Sequence, residues 1–306
     1  MVCCCVMRPC LSRANHMNKK IVILGANGQL GRTLQQHFNA LDQDVVALGR
    51  QDLDIADETA LRTTLGDLAP DIIINAAAYT AVDQAETDDL DARAANAAGP
   101  KHLARWVKEQ NSWLLHISTD FVFSGRSHRP YTPDDQTDPL SIYGRTKLEG
   151  ELHVRYLARD NSLVLRTSWV YSPYGSNFLK TMLRLMAEKD SLNVVDDQIG
   201  TPTSTLGLAR CIAAAIDRRP VGILHWTDAG VASWYDFAVA IQDEAIRQGL
   251  LEHAIPIKPI PTSAYPTPAR RPSFSVLDKA DTIAALDCHP QHWQRELAHV
   301  MQQFKR

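Results

Sequence analysis

The sequence predicts an α/β protein with a doubly wound parallel sheet and a smaller C-terminal lobe. Two observations carry this. From Lys19 onward, short continuous apolar runs alternate with amphipathic helical stretches, and strands without polar alternation are buried on both faces, as in a parallel sheet covered by helices. The first run ends in a glycine-rich turn that opens the first helix, Gly25-Ala26-Asn27-Gly28-Gln29-Leu30-Gly31. Strand, glycine turn and helix in that order mark a Rossmann-type sheet.

In chain order the runs are Ile21–Leu24, Val45–Leu48, Ile72–Ile74, Trp113–Ile117 and Leu163–Leu165, with helical segments at Gly31–Leu41, Glu58–Leu68 and Lys101–Gln110. This rhythm assigns residues 18–171 to a dinucleotide-binding domain. Beyond Tyr171, prolines from Pro202 to Pro272 punctuate the chain and the rhythm weakens. Residues 172–202 and 228–306 are expected to form a substrate-binding lobe. A segment near 203–227, ending in the apolar run Gly222–Trp226, is expected to return to the main sheet.

Composition narrows the class. With 306 residues, 45% of them hydrophobic, the chain can bury a core without disulfide or metal staples. The 32 basic and 35 acidic residues leave a net charge of -3, which gives no electrostatic case for nucleic acid or an anionic membrane. No apolar run reaches the ~20 residues of a membrane-spanning helix. Cys3, Cys4, Cys5 and Cys10 crowd the first ten residues, and only Cys211 and Cys288 follow. That is neither a disulfide framework nor a metal-ligand spacing, so a reducing, cytoplasmic setting is expected. Residues 1–17 read as a disordered or non-native extension ahead of a start at Met17.

In the glycine turn, Gly25, Gly28 and Gly31 permit a tight turn, close approach of backbone to a pyrophosphate, and tight helix–sheet packing. Asn27, Gln29 and Leu30 lie within the same turn, whose helix start offers unpaired N–H groups to phosphate. The G-x-x-G-x-x-G spacing is that of the short-chain dehydrogenase/reductase type of dinucleotide domain. After the second strand, Arg50 stands where an acid often binds the ribose 2′-hydroxyl. A cation there pairs with a 2′-phosphate and favours NADPH over NADH, unless Arg50 is simply a solvated charge. Asp52 or Asp54 offers a hydrogen bond to the adenosine. Ala76, Ala77 and Ala78 follow the third strand, where small residues serve either a cofactor or tight packing.

Tyr143 and Lys147 are four residues apart at the start of a helical stretch, hence on one face. Ser118-Thr119-Asp120 closes the fourth strand, where catalytic groups of open α/β sheets sit. Together they describe carbonyl reduction. Tyr143 donates the proton, Thr119 hydrogen-bonds the same oxygen, and the Lys147 ammonium and an oxidised nicotinamide are both expected to lower the phenol pKa from its usual value of about 10.

From Met17 onward the chain resembles the extended short-chain dehydrogenase/reductases acting on nucleotide sugars, and among them the dTDP-4-dehydrorhamnose reductase family. The resemblance rests on the glycine turn, Asn75–Thr80, Ser118–Gly125, Tyr143–Lys147, Arg166–Tyr171, Asp197–Thr203 and Arg271–Ser275. It implies NADPH-dependent reduction of the 4-keto group of dTDP-4-dehydro-β-L-rhamnose, supplying cell-surface polysaccharides such as lipopolysaccharide O-antigen. It also implies a sugar-nucleotide site including Thr119, Asp120, Tyr143, Trp169 and Arg271, although Trp169 also reads as a core tryptophan. Related 4,6-dehydratases use a Thr-Asp-Glu set, and here Phe121 follows Asp120 and supplies no carboxylate. A 4-epimerase shares the Thr/Tyr/Lys machinery and is the nearest alternative. A non-catalytic dinucleotide-binding regulatory subunit of methionine adenosyltransferase is another.

Some relatives dimerise around Mg²⁺ held by a helix-one glutamate and an acidic pair. Asp196-Asp197 matches the pair, but Thr33 stands at the glutamate position. No metal is therefore expected, and the chain is expected to be a monomer or a homodimer.

Overall fold

The computed structural model describes residues 19–305, so the expectation for residues 1–17 lies outside the described residues. β1 (Ile21–Leu24), α1 (Gln29–Asn39), β2 (Val45–Leu48), α2 (Glu58–Leu68) and β3 (Ile72–Asn75) open the chain. A 3-10 turn (Gln84–Glu86), α3 (Asp89–Arg93) and a π turn (Ala94–Ala98) lead into α4 (Gly99–Gln110). β4 (Trp113–Thr119), α5 (Ile142–Leu157) and β5 (Ser162–Thr167) follow. The second half runs β6 (Val170–Tyr171), α6 (Phe178–Glu188), β7 (Leu192–Val195), β8 (Ile199–Gly200), β9 (Thr203–Ser204) and α7 (Thr205–Arg218). It ends with β10 (Gly222–His225), β11 (Ala232–Ser233), α8 (Trp234–Arg247), β12 (Ile257–Ile260), α9 (Ala280–Leu286) and α10 (Trp293–Gln302).

Six of these strands form one sheet in the order β10-β5-β4-β3-β1-β2, with every pairing parallel. The apolar runs are explained by burial on both faces. Ile21, Ile23, Ile72 and Ile74 pack against Leu34 and Phe38 of α1 and Leu208 and Ile212 of α7. Val22, Leu24, Ile73 and Leu114 pack against Leu61 of α2 and Leu103 of α4 on the other face. Each such side chain contributes about 1.5–3 kcal/mol by leaving water.

β10 pairs with β5 at one edge of the sheet, through Gly222–His225. Leu286 of α9 and the following Cys288 also join the core beneath α1 and α7. Residues 280–288 thus sit with the sheet, because Leu286 fills apolar space there, rather than with the lobe assigned to 228–306. The lobe has its own core, including Leu179 and Met182 of α6, Phe237 and Ile241 of α8, and Leu297 and Val300 of α10. Among the described residues no helix is long and apolar enough to cross a membrane.

The chain leaves β1 for β2 on one side and β3 on the other, which places a switch in strand order beside β1. Register aligns Leu24 with Asn75, and Asn75 with His116. The glycine turn, the Ala76–Ala78 stretch and the end of β4 therefore share one carboxyl edge of the sheet. Ligands bind in the crevice outside such an edge.

Candidate active site

Gly25 has φ +83, and a Cβ there would lie 2.7 Å from backbone atoms of Ala76 and Ala77. A Cβ on Gly31 would run into the Gly25 carbonyl. α1 begins at Gly28 with no side-chain cap and no acidic residue in its first turn. Its first N–H groups and positive dipole end therefore suit a diphosphate. Within the turn Leu30 is a core side chain, so its backbone is what it presents to a ligand. Gln29 Oε1 accepts from Ser172 Oγ at 3.0 Å and Asn177 Nδ2 at 2.8 Å, tying the turn to the segment after β6. Asn27 is exposed beside Gly49, and its carbonyl accepts from Arg32 Nε at 3.2 Å.

After β2, Asp52 accepts the Gly49 N–H at 2.8 Å and is spent on closing the turn. Arg50 stands out in solvent, 81% exposed and 3.4 Å from Asp54. The backbone of Ala76–Ala78 is held by Asn75, whose Oδ1 accepts from the Ala77 N–H at 3.2 Å. Asn75 Nδ2 in turn donates to Nδ1 of buried His116 at 3.0 Å, and burial, reinforced by the Lys147 charge, keeps that histidine neutral. The cradle fits a dinucleotide.

Thr119 ends β4, while Tyr143 and Lys147 project from the first turns of α5, whose N-terminus is capped by the Ser141 hydroxyl accepting from the Gly144 N–H at 3.1 Å. Lys147 is 2% exposed and donates from Nζ to the Ile117 carbonyl at 2.7 Å. Burial lowers its pKa to about 8, and the Glu151 carboxylate opposes the fall. Thr119 Oγ1 donates to Asp120 Oδ1 at 3.0 Å and accepts from the Phe121 N–H at 3.2 Å. Asp120 is buried, which pushes its carboxyl up to about 6 although the Ser275 and Thr119 hydroxyls draw it down.

The phenol of Tyr143 differs from expectation. Burial pushes it up to about 12, the Thr119 hydroxyl pulls it down, and the Asp120 charge adds to the rise. The cost of desolvating a phenolate outweighs any help from Lys147 in the free protein.

Trp169 is not an ordinary core tryptophan. It is half-buried with a left-handed φ of +47, a strained conformation for a bulky residue. Its ring stacks on Trp234 at 3.6 Å and 4°. Gly200 makes room beneath it, since a Cβ there would lie 2.6 Å from the ring. Trp234 Nε1 is fixed by Gln198 Oε1 at 3.1 Å.

Two cavities of ≈ 440 Å³ each adjoin at Arg271. One is lined by Phe178, Met182, Val195, Gln198, Trp234 and Arg271, the other by Ser124, Arg126, Leu140, Arg270, Arg271 and Ser273. The second gathers three arginines, which suits an anion. A larger cavity of ≈ 650 Å³, between α8 and α10, contains none of these groups. At the positions considered for a cation, Thr33 Oγ1 instead donates to Thr205 Oγ1 at 2.8 Å, and Asp197 accepts the Thr262 N–H at 2.8 Å.

The structure thus gathers Thr119, Asp120, Tyr143 and Lys147 at one strand end, sets Arg271 on the wall shared by the two cavities, and stacks Trp169 on Trp234, which lines one of them. Sequence reasoning missed Arg126, Arg270, Gln198 and Trp234. Adjacent Arg270-Arg271 and Gly125-Arg126 were the available signals for the arginines, whereas Trp234 gave none.

Fold and site together define an extended short-chain dehydrogenase/reductase. Residues 19–306 match the family model described as the RmlD substrate binding domain. The chain is 41% identical over 288 residues to the dTDP-4-dehydrorhamnose reductase of Aggregatibacter actinomycetemcomitans, covering 92% of this chain and 98% of that protein. A Clostridium acetobutylicum dTDP-4-dehydrorhamnose reductase structure superposes with TM-score 0.88 at 39% identity, covering 94% of this chain and 100% of that one. A Bacillus anthracis dTDP-4-dehydrorhamnose reductase solved in complex with NADP gives TM-score 0.89 at 33% identity, with the same coverages of 94% and 100%. The chain belongs to the dTDP-4-dehydrorhamnose reductase family.

Proposed function

We propose that this chain reduces the 4-keto group of dTDP-4-dehydro-β-L-rhamnose with NADPH, giving dTDP-β-L-rhamnose. The observation that carries the reading is the phenol of Tyr143 set with Thr119 and Lys147 at the carboxyl end of β4, where Lys147 Nζ donates to the Ile117 carbonyl. Gly25, Asn27, Gly28, Gln29, Leu30 and Gly31 would hold the cofactor diphosphate, and Arg50 and Asp54 the adenosine end. Ala76, Ala77, Ala78, Tyr143 and Lys147 would hold the nicotinamide half. NADPH bound there supplies the hydride.

Tyr143 gives its proton to O4 of the sugar. An alkoxide is a stronger base than a phenolate, so a phenol at about 12 still transfers its proton downhill. Thr119 has one hydroxyl proton, for which Asp120 Oδ1 at 3.0 Å and the Tyr143 phenol compete. Stabilising the developing charge on O4 requires that hydroxyl to turn toward the substrate. Asp120, Trp169 and Arg271 would bind the sugar nucleotide, with the diphosphate in the arginine-lined cavity. The chain divides accordingly into a dinucleotide-binding part over 18–171, joined by 203–227 and 280–288, and a lobe over 172–202, 228–279 and 289–306.

The test is NADPH consumption with dTDP-4-dehydro-β-L-rhamnose supplied by the preceding enzymes. Loss of nicotinamide absorbance together with a rhamnose product is expected. Binding of NADPH without consumption would refute this substrate, and C4 inversion without net consumption would identify an epimerase.

A further inference from the structure

Asp83 lies outside the residues assigned above, in the segment between β3 and the 3-10 turn. It ion-pairs with Arg271 of the loop 261–275, which lines both cavities. That loop is pinned at both ends. At one end the Thr262 N–H donates to Asp197 at 2.8 Å. At the other, Ser273 Oγ donates to the Gly125 carbonyl at 3.0 Å and the Ser275 N–H to the Ile199 carbonyl at 2.8 Å.

Its middle is fastened to the sheet half through the Asp83 carboxylate. Oδ1 accepts from the Ala269 N–H at 3.2 Å and from Arg271 Nη1 at 3.0 Å, while Oδ2 accepts from Arg271 Nη2 at 2.8 Å. Arg271 Nη1 also donates to Thr267 Oγ1 at 2.6 Å and to the Ala269 carbonyl at 3.1 Å. The end of the guanidinium is therefore fully engaged. Its Nε–H and outer Nη2–H lie along one edge of the planar group and are left for a ligand. Such an edge matches two oxygens of a phosphate.

We propose that Asp83 is a positioning residue for the diphosphate of the nucleotide-sugar substrate, holding Arg271 and the middle of the loop so that the open guanidinium edge is fixed at the arginine-lined cavity. The inference rests on the function proposed above. Asp83 does not touch the ligand, and its own charge repels a diphosphate, so two effects compete. Removing Asp83 relieves a solvent-screened repulsion acting from behind the guanidinium. It also frees a long side chain and several loop residues, which the ligand must then order on binding. Ordering several residues outweighs one screened charge, so affinity falls.

The test compares wild type with Asp83→Ala, Asp83→Asn and Asp83→Glu, titrating dTDP and thymidine and measuring steady-state reduction. The first two variants should bind dTDP about tenfold more weakly and raise the sugar-nucleotide KM in step. Thymidine affinity should hold, kcat should stay within about twofold, and Asp83→Glu should recover part of the loss. Hydrogen exchange over 265–271 should quicken in Asp83→Ala, with the melting temperature showing that both variants fold.

Unchanged or tighter dTDP binding would overturn the inference, and so would equal losses for dTDP and thymidine, which indicate general loosening. If wild type binds dTDP but reduces no 4-keto sugar, the proposed function fails while a dTDP-selective loss in Asp83→Ala still supports the positioning role. If wild type binds no dTDP, both fail.

Discussion

Raising the pH should switch the site off through Lys147. This lysine is buried, donates to the Ile117 carbonyl, and has its pKa lowered by burial to about 8. Its charged form is the working form, since the ammonium makes the hydrogen bond and supplies positive charge beside the reacting oxygen. With a midpoint of about 8, about nine-tenths of the molecules carry the charge at pH 7, half at pH 8, and about one-tenth at pH 9. kcat/KM reports ionisations of the free enzyme, so it should halve near pH 8 and then fall about tenfold per pH unit. Tyr143, at about 12, adds no limb in that interval. The assay is the initial rate of NADPH consumption at low sugar nucleotide from about pH 6 to 10, at constant ionic strength, for wild type and Lys147→Met. The variant should be slow and lack the limb. A flat wild-type profile past about pH 9, or a limb that survives in the variant, would remove Lys147 from this role.

Three further outcomes test other parts of the site and fold. Tyr143→Phe should lower kcat by about 10²–10⁴, the range for one general acid, while NADPH titration finds unchanged affinity. Retention of near wild-type kcat would exclude Tyr143 as the donor. Arg50→Ala should weaken NADPH far more than NADH in parallel fluorescence titrations, because only NADPH carries the 2′-phosphate; equal losses would make Arg50 a plain surface charge. Asp228 is buried and pushed up to about 8, with the Ser204 N–H opposing that rise and the Glu296 charge adding to it. A carboxyl raised from 3.8 to about 8 binds its proton more tightly in the folded state. Its stabilisation is complete below about pH 4 and is lost as pH rises to 8, a change of at most about 6 kcal/mol. Asp228→Asn should flatten that decline in urea unfolding between pH 5 and 8, and parallel curves for the two proteins would refute it.

What the sequence makes legible follows from the range over which each constraint acts. Ile72–Ile74 reads as a buried strand because burial on both faces demands an unbroken apolar run, and the run Gly222–Trp226 is legible for the same reason. Tyr143 and Lys147 are legible because helical geometry alone puts them on one face. Residues 79–98 were not read as helical, since their structure is set from outside. Asn96 accepts the Tyr79 N–H at 2.9 Å and donates to the Thr146 hydroxyl at 3.2 Å. Ala94–Ala98 takes a π turn beside Gly150 of α5, where a Cβ would strike the Asn96 carbonyl. Asp83 and Arg271 are 188 positions apart and neither has a neighbour in sequence that announces the other. The desolvation of Tyr143 in the cofactor-free protein is hidden for a related reason. Sequence spacing locates the lysine, but the desolvation that overrides it comes from elements distant along the chain.

That desolvation also bears on which direction of chemistry the site favours. In the cofactor-free protein, burial and the Asp120 charge favour the neutral phenol, the form that donates a proton. Reduction of a ketone draws on the acid form, whereas oxidation of an alcohol needs the phenolate at the start. A 4,6-dehydratase needs a further carboxylate where this chain places Phe121, whose ring instead meets Tyr143 edge-on at 5.5 Å.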